Sequence, residues 1–106
     1  MFQREGGDKE MAVEKKIFKY EIPVTDEFEL ELPKGAKILT FQTQNNTPYI
    51  WAIVDSNVEV KEKVSFRLFG TGHLLDLVKS MVYIGTTQMF DGGLVWHLFQ
   101  KKGGEK

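Results

Sequence analysis

The chain has no cysteine. Disulfides and thiolate metal sites are excluded, and a reducing compartment is the simpler expectation. Charge of one sign is also missing: 14 Lys and Arg against 15 Asp and Glu leave a formal net charge of −1. A duplex-binding protein draws most of its affinity from neutralised phosphates and shows a basic face. Here lysine and glutamate are interleaved, as in E-L-E-L-P-K and V-K-E-K. Duplex nucleic acid is therefore not expected as a partner. No apolar run reaches the roughly 18 residues of a membrane-crossing helix. The opening M-F-Q-R-E-G-G-D-K-E has no apolar segment of the kind a signal peptide needs. These absences predict a cytoplasmic protein with no membrane partner.

Histidine is scarce as well, with only His73 and His97. No H-x-H or H-E-x-x-H spacing is present, so neither a metal nor a cofactor is expected. What remains is ordinary globular material: 106 residues, 42% apolar and 27% charged. That length predicts one domain, burying roughly 60–70% of the unfolded surface in a single core. Residues 1–15 and 101–106 are polar, charged and glycine-bearing. They read as flexible tails on a single β-rich domain spanning residues 16–100.

Alternation carries the structural signal. Phe28, Leu30 and Leu32 alternate with Glu27, Glu29 and Glu31, which is a strand with one wet face. Ile17 to Ile22 precedes it. Pro33-Lys34-Gly35 is a turn, and Ala36 to Gln44 is the next strand. Asn45-Asn46-Thr47-Pro48 closes a hairpin onto Tyr49 to Val54, apolar on both faces and so predicted to be central and covered on both sides. Val64 to Phe69 leads into the corner Gly70-Thr71-Gly72-His73. Leu74, Leu77 and Val78 allow one short helix near residues 74–80. Two last strands, Val82 to Phe90 and Leu94 to Phe99, are joined at Asp91-Gly92-Gly93. The expected class is all-β: a compact sandwich or small barrel of about seven mostly antiparallel strands.

The corner is the first candidate site. G-T-G-H-L-L fails as a dinucleotide fingerprint, because Leu75 stands in the third glycine's place and no long helix follows. Consecutive backbone N–H groups at Gly70, Thr71 and Gly72 are able to cradle an anion. The plain alternative is a tight turn needing positive φ at Gly70 or Gly72. Arg67, the only arginine besides Arg4, and His73 lie close by in sequence. His97 points opposite to Trp96 and Leu98, so it faces solvent or a partner if Trp96 faces the core. Trp51 and Trp96 read first as core; an exposed tryptophan would be a stacking or interface anchor. Gln88 and Thr86 repeat the polar pattern of Gln42 and Gln44, either as a solvent face or as amides for recognition. No nucleophile-base pair is evident, since nothing in the sequence activates Thr71. Arg67, Gly70, Thr71, Gly72, His73, Trp51, Gln88 and His97 are the candidate ligand-binding residues.

Five sequence blocks occur in a specific order. They are E-L-P-K-G-A-K-I-L (Glu31 to Leu39), Y-I-W-A-I-V-D (Tyr49 to Asp55), F-R-L-F-G-T-G-H (Phe66 to His73), and Y-I-G-T-T-Q followed by L-V-W-H-L-F. Together, across roughly Lys19 to Phe99, the chain resembles a family of small uncharacterised proteins of phages, prophages and their bacterial hosts. The family pattern is closer to Y-G-T-G-H-P, where this chain has Phe69 and Leu74. The resemblance carries no established activity. It implies an accessory protein that acts by binding, without catalysis, on a host protein or a small anionic ligand, with homo-oligomers common. Sequestering a cyclic nucleotide signal in host defence and a structural or assembly role are the alternatives it leaves open.

Overall fold

The structure is a computed structural model that describes residues 12–75 and 81–102. Seven strands are present: β1 (Lys15–Glu21), β2 (Glu27–Pro33), β3 (Lys37–Gln44), β4 (Thr47–Asp55), β5 (Lys61–Gly70), β6 (Met81–Met89) and β7 (Leu94–Lys101). They form two sheets, β1-β4-β3 and β2-β5-β7-β6, with every pairing antiparallel. The all-β sandwich expected from alternation is the fold. Among the described residues there is no helix, so none is long and apolar enough to cross a membrane. Leu74 and Leu75 are not helical, and the rest of the helix expected near 74–80 lies outside the described residues.

The core follows from the period-2 pattern. Phe28, Leu30 and Leu32 face inward from β2, and the intervening glutamates are exposed. Phe66 and Leu68 of β5, Leu98 of β7, Phe41 of β3 and Ile50 of β4 meet between the sheets with Ile22. Phe28 stacks on Phe66 across the β2–β5 ladder, centroids 5.1 Å apart. β4 is central in its sheet, as its sequence predicts, but only one of its faces is sealed. Ile50, Ala52 and Val54 are buried, whereas Tyr49, Trp51 and Ile53 on the outer face are half-buried. Aromatic and branched side chains on that face cover one another, with no third layer over them among the described residues.

The sheets also touch edge to edge at β3 and β6. Thr43 and Thr87 share a hydroxyl–hydroxyl hydrogen bond of 2.8 Å. Gly85 lies so close to β3 that a Cβ there would sit 3.4 Å from the Cβ of Phe41. At one end the two hairpin tips are tied, because Phe90 N donates to Asn46 Oδ1 at 2.8 Å. Asn45 and Asn46 both have positive φ, 53° and 61°, as a two-residue type I′ hairpin turn requires. The β6–β7 loop begins at Phe90, one residue earlier than glycine content alone indicates. Phe90 itself is left-handed, at φ 55°, a conformation rare for a bulky residue. The Asn46 contact and a Gly93 N to Phe90 O hydrogen bond of 2.9 Å hold it there.

The folded unit begins earlier than the polar N-terminal sequence implies. Asn57 Nδ2 donates to Ala12 O (2.7 Å), Glu14 N donates to Asp55 Oδ1 (3.0 Å), and Ser56 N donates to Glu14 O (2.9 Å). Charged composition hid this because the anchors are backbone groups, which composition does not register. At the other end Lys101 belongs to β7. The amides of Glu14 and Asn57 hold the Asp55 carboxyl below its ordinary 3.8. A depressed carboxylate contributes stability that is full above its unfolded pKa and is lost as pH falls through the folded one. Melting curves of wild type and Asp55→Asn are therefore expected to differ above the ordinary carboxylate range and to converge as pH falls through the lowered folded-state pKa. A gap undiminished in strong acid would contradict that assignment.

Candidate functional site

The outer face of the four-stranded sheet gathers most of the chemically useful side chains. Register places them in rows. Glu27, Arg67, Phe99 and Tyr83 are cross-strand neighbours on β2, β5, β7 and β6 in turn. Phe69, His97 and Thr86 form the next row across β5, β7 and β6. The parity that buries Phe66, Leu68 and Leu98 puts these residues on the opposite face.

His97 is held from both ring nitrogens. Its Nε2 lies 2.7 Å from Thr71 Oγ1, and its Nδ1 lies 2.8 Å from Thr86 Oγ1. Thr86 Oγ1 in turn lies 2.5 Å from Tyr83 OH. The four groups form a chain running from the corner across β7 to β6. Tyr83 ends it in solvent, at 55% exposure. Beside the chain lies an aromatic group. Phe99 meets Phe69 edge-on at 5.6 Å and Tyr83 at 5.4 Å. The Arg67 guanidinium carbon sits 4.7 Å from the Phe69 ring centre, and Arg67 Nε lies 3.6 Å from a Glu27 carboxylate oxygen. Phe69 is buried beneath this group although it faces outward.

The corner is built as a turn. His73 N donates to Gly70 O at 3.1 Å and Gly72 has φ 89°, the pattern of a type II turn with glycine at its third position. Thr71 N donates to Val95 O at 3.2 Å, tying the corner to β7. One of the amides considered for an anion cradle, that of Thr71, is thus committed to the sheet, and the adjoining His73 amide to the turn. A Cβ on Gly70 would meet the His73 ring at 2.8 Å. Gly70 shares the inward parity of Phe66 and Leu68, so His73 lies over the core side of the corner. The two histidines are on different faces.

Of the residues expected at one site, Thr71 and His97 touch, Arg67 shares their sheet face one row away against Phe69, and Gln88 follows Thr86 on the same face of β6. Gly70 and Gly72 shape the turn that delivers Thr71. Trp51 is elsewhere: it stands on the outer face of the three-stranded sheet, 5.9 Å from the Tyr49 ring. There Lys19 Nζ lies 4.4 Å from the Tyr49 ring centre and donates to Gln44 Oε1 at 2.7 Å. Trp96 packs against the core, and its buried indole N–H has no hydrogen-bond partner among the described residues. Sequence reading passed over Tyr83, Phe99 and Phe69. Parity relative to His97 was the available signal for Phe99, whereas β6 carries a register shift between Tyr83 and Gly85 that defeats simple counting.

Among the described residues no three His, Asp or Glu side chains converge as a metal site. A groove of about 260 Å³ lies beside the cluster, lined by Glu27, Glu29, Ser65 and Lys101 with Phe28 and Phe66 beneath. Pockets that enclose a small ligand start at roughly 300 Å³, so this groove is a shallow margin to a face. Fold and site together define an all-β sandwich that displays a polar and aromatic cluster on an open sheet surface. The chain belongs to the family described as a domain of unknown function (DUF7352), whose model matches residues 13–106. No curated protein and no solved structure matches it.

Proposed function

We propose that this chain is a binding module without catalytic activity, and that its partner is a protein surface engaged by the outer face of the four-stranded sheet. The observation that carries this reading is the Thr71–His97–Thr86–Tyr83 chain beside Arg67 and Phe99. Tyrosine and arginine, partly fixed and partly exposed, are the side chains that anchor protein interfaces. Holding them in advance reduces the entropy lost on binding. A hydroxyl next to a histidine also brings acyl transfer to mind, but in the Ser-His-Asp arrangement a carboxylate at the base's other nitrogen stabilises the imidazolium. Here that position belongs to the neutral Thr86 hydroxyl, which suits a fixed framework rather than a base.

The setting that fits is a phage-type accessory protein acting on a host protein in the bacterial cytoplasm, which rests on the resemblance alone. Sequestration of a small nucleotide has weaker support, because the Thr71 and His73 amides are committed and the groove is shallow. The test is capture from bacterial lysate with wild type and with Tyr83→Ala and His97→Ala. Both variants are expected to keep the wild-type melting temperature within a few degrees and to lose the captured partner by tenfold or more. A partner held equally by wild type and both variants would overturn the assignment of this face. A thermal shift with a nucleotide panel, lost in Arg67→Ala, would favour sequestration instead.

A further inference from the structure

A strand at the edge of a sheet presents unpaired backbone donors and acceptors, and proteins protect such edges with charge, bulges or cover. Of the four edges among the described residues, three are protected. β3 and β6 lie against each other, and each carries a bulge, at Ile38/Thr40 and at Tyr83/Gly85. β2 displays the exposed stripe Glu27, Glu29 and Glu31. Any face-preserving antiparallel pairing of β2 with a second β2 would set glutamate against glutamate.

β1 has no bulge and no cover among the described residues, and its charges, Lys15, Lys16, Lys19 and Glu21, are of both signs rather than one. Its ladder with β4 runs without a shift from Lys15↔Asp55 to Glu21↔Tyr49. Every residue but Tyr20 is exposed, including Ile17 at 58% and Phe18 at 42%. We propose that β1 is a self-association edge, pairing antiparallel with β1 of a second copy about a two-fold axis at Phe18. The two three-stranded sheets would then join as one of six strands.

The strand is complementary to itself in this register. Lys15 falls opposite the partner's Glu21, Lys16 opposite the partner's Tyr20, Ile17 opposite the partner's Lys19, and Phe18 opposite the partner's Phe18. Each residue meets one of its own parity, so inner and outer faces stay continuous across the axis. Ion pairs, cation–aromatic contact and an aromatic pair are the cross-strand combinations that stabilise sheets. Two-fold pairing also closes, satisfying both edges at once. Seven residues a side is fewer than the roughly 20–30 of a standard interface, so the dimer is concentration-dependent.

Light scattering and sedimentation of the full chain, from low to high micromolar, test this. Wild type is expected to rise from monomer to dimer mass and stop there. Phe18→Lys, which sets like charges on the axis, is expected to remain monomeric with an unchanged melting curve. Lys15→Glu is expected to weaken dimerisation at least tenfold, and Lys15→Glu with Glu21→Lys to restore it. The triple change Glu27→Lys, Glu29→Lys, Glu31→Lys leaves the dimer intact if β1 pairs with β1. The inference is overturned if the chain stays monomeric throughout, or if it grows beyond a dimer. Loss of association on reversing the β2 charges, or no rescue by the charge swap, would overturn it too. A monomer would leave the proposed partner face of the other sheet untouched, so the two readings fail separately.

Discussion

Phe66→Ala is expected to destabilise the fold by about 3–5 kcal/mol, the range for truncating a buried phenylalanine. Phe66 is fully buried on β5, opposite Phe28 with the rings 5.1 Å apart. Removing it forfeits its own transfer free energy and strands the Phe28 ring over a void that strands cannot collapse to fill. A domain of this size holds roughly 5–15 kcal/mol in all, so a large share of the folded population is at stake. Urea unfolding would show a lower midpoint with an unchanged slope. A loss under about 1 kcal/mol would mean that the inter-sheet core relaxes far more freely than dense packing allows.

Thr87→Val is expected to cost about 1–3 kcal/mol, while Thr43→Val with Thr87→Val together should come close to wild type. Thr87 is the one buried polar side chain among the described residues, and Thr43 is its partner at 2.8 Å. Taking away one hydroxyl leaves the other in the β3–β6 contact without its hydrogen bond, and desolvation of an orphaned group exceeds the net worth of the pair. Removing both leaves two branched apolar side chains of nearly the same shape. The double-mutant cycle isolates the coupling. Additive losses would show that the two hydroxyls reach water and that the seam is open. The seam matters beyond stability, because it covers the β3 and β6 edges and leaves β1 as the edge without bulge, cover or single-sign charge among the described residues.

The strands were legible because period-2 alternation is a local property. Phe28, Leu30 and Leu32 against Glu27, Glu29 and Glu31 identify a half-buried strand wherever it is placed. The same holds for Ile50, Ala52 and Val54 on β4. Boundaries slipped where something other than pattern decided them. Ala12 to Lys15 look like a solvated tail, yet their order comes from hydrogen bonds to Asp55 and Asn57, 40 or more residues away. Phe90 reads as the end of a strand, yet the Asn46 side chain holds it in the loop.

The site was legible in part, for a similar reason. The neighbourhood of Arg67, Thr71 and His97 is signalled by two blocks of sequence about 30 residues apart, and β5–β7 pairing brings those blocks together. That His97 faces away from Trp96 follows from alternation alone. Which residues His97 touches does not: its partners Thr71 and Thr86 come from two other segments, and the β6 bulge sets which residue of β6 lies opposite. Trp51 illustrates the limit in the other direction. Its parity against Ile50 and Ala52 is local, but which parity faces the second sheet is decided only when the sheets stack.

By itself the sequence determined the class of fold, the strands and their two-faced character, the turns at Gly72 and Asn45-Asn46, and the absence of thiol chemistry. These are properties of a chain's local sterics and of which side chains leave water. Only the tertiary structure decided that His97, Thr71, Thr86 and Tyr83 share one hydrogen-bonded chain, that His73 does not join them, and that β1 is left open. Those outcomes depend on strand order and register across the whole chain, where a one-residue shift exchanges every inward side chain for an outward one.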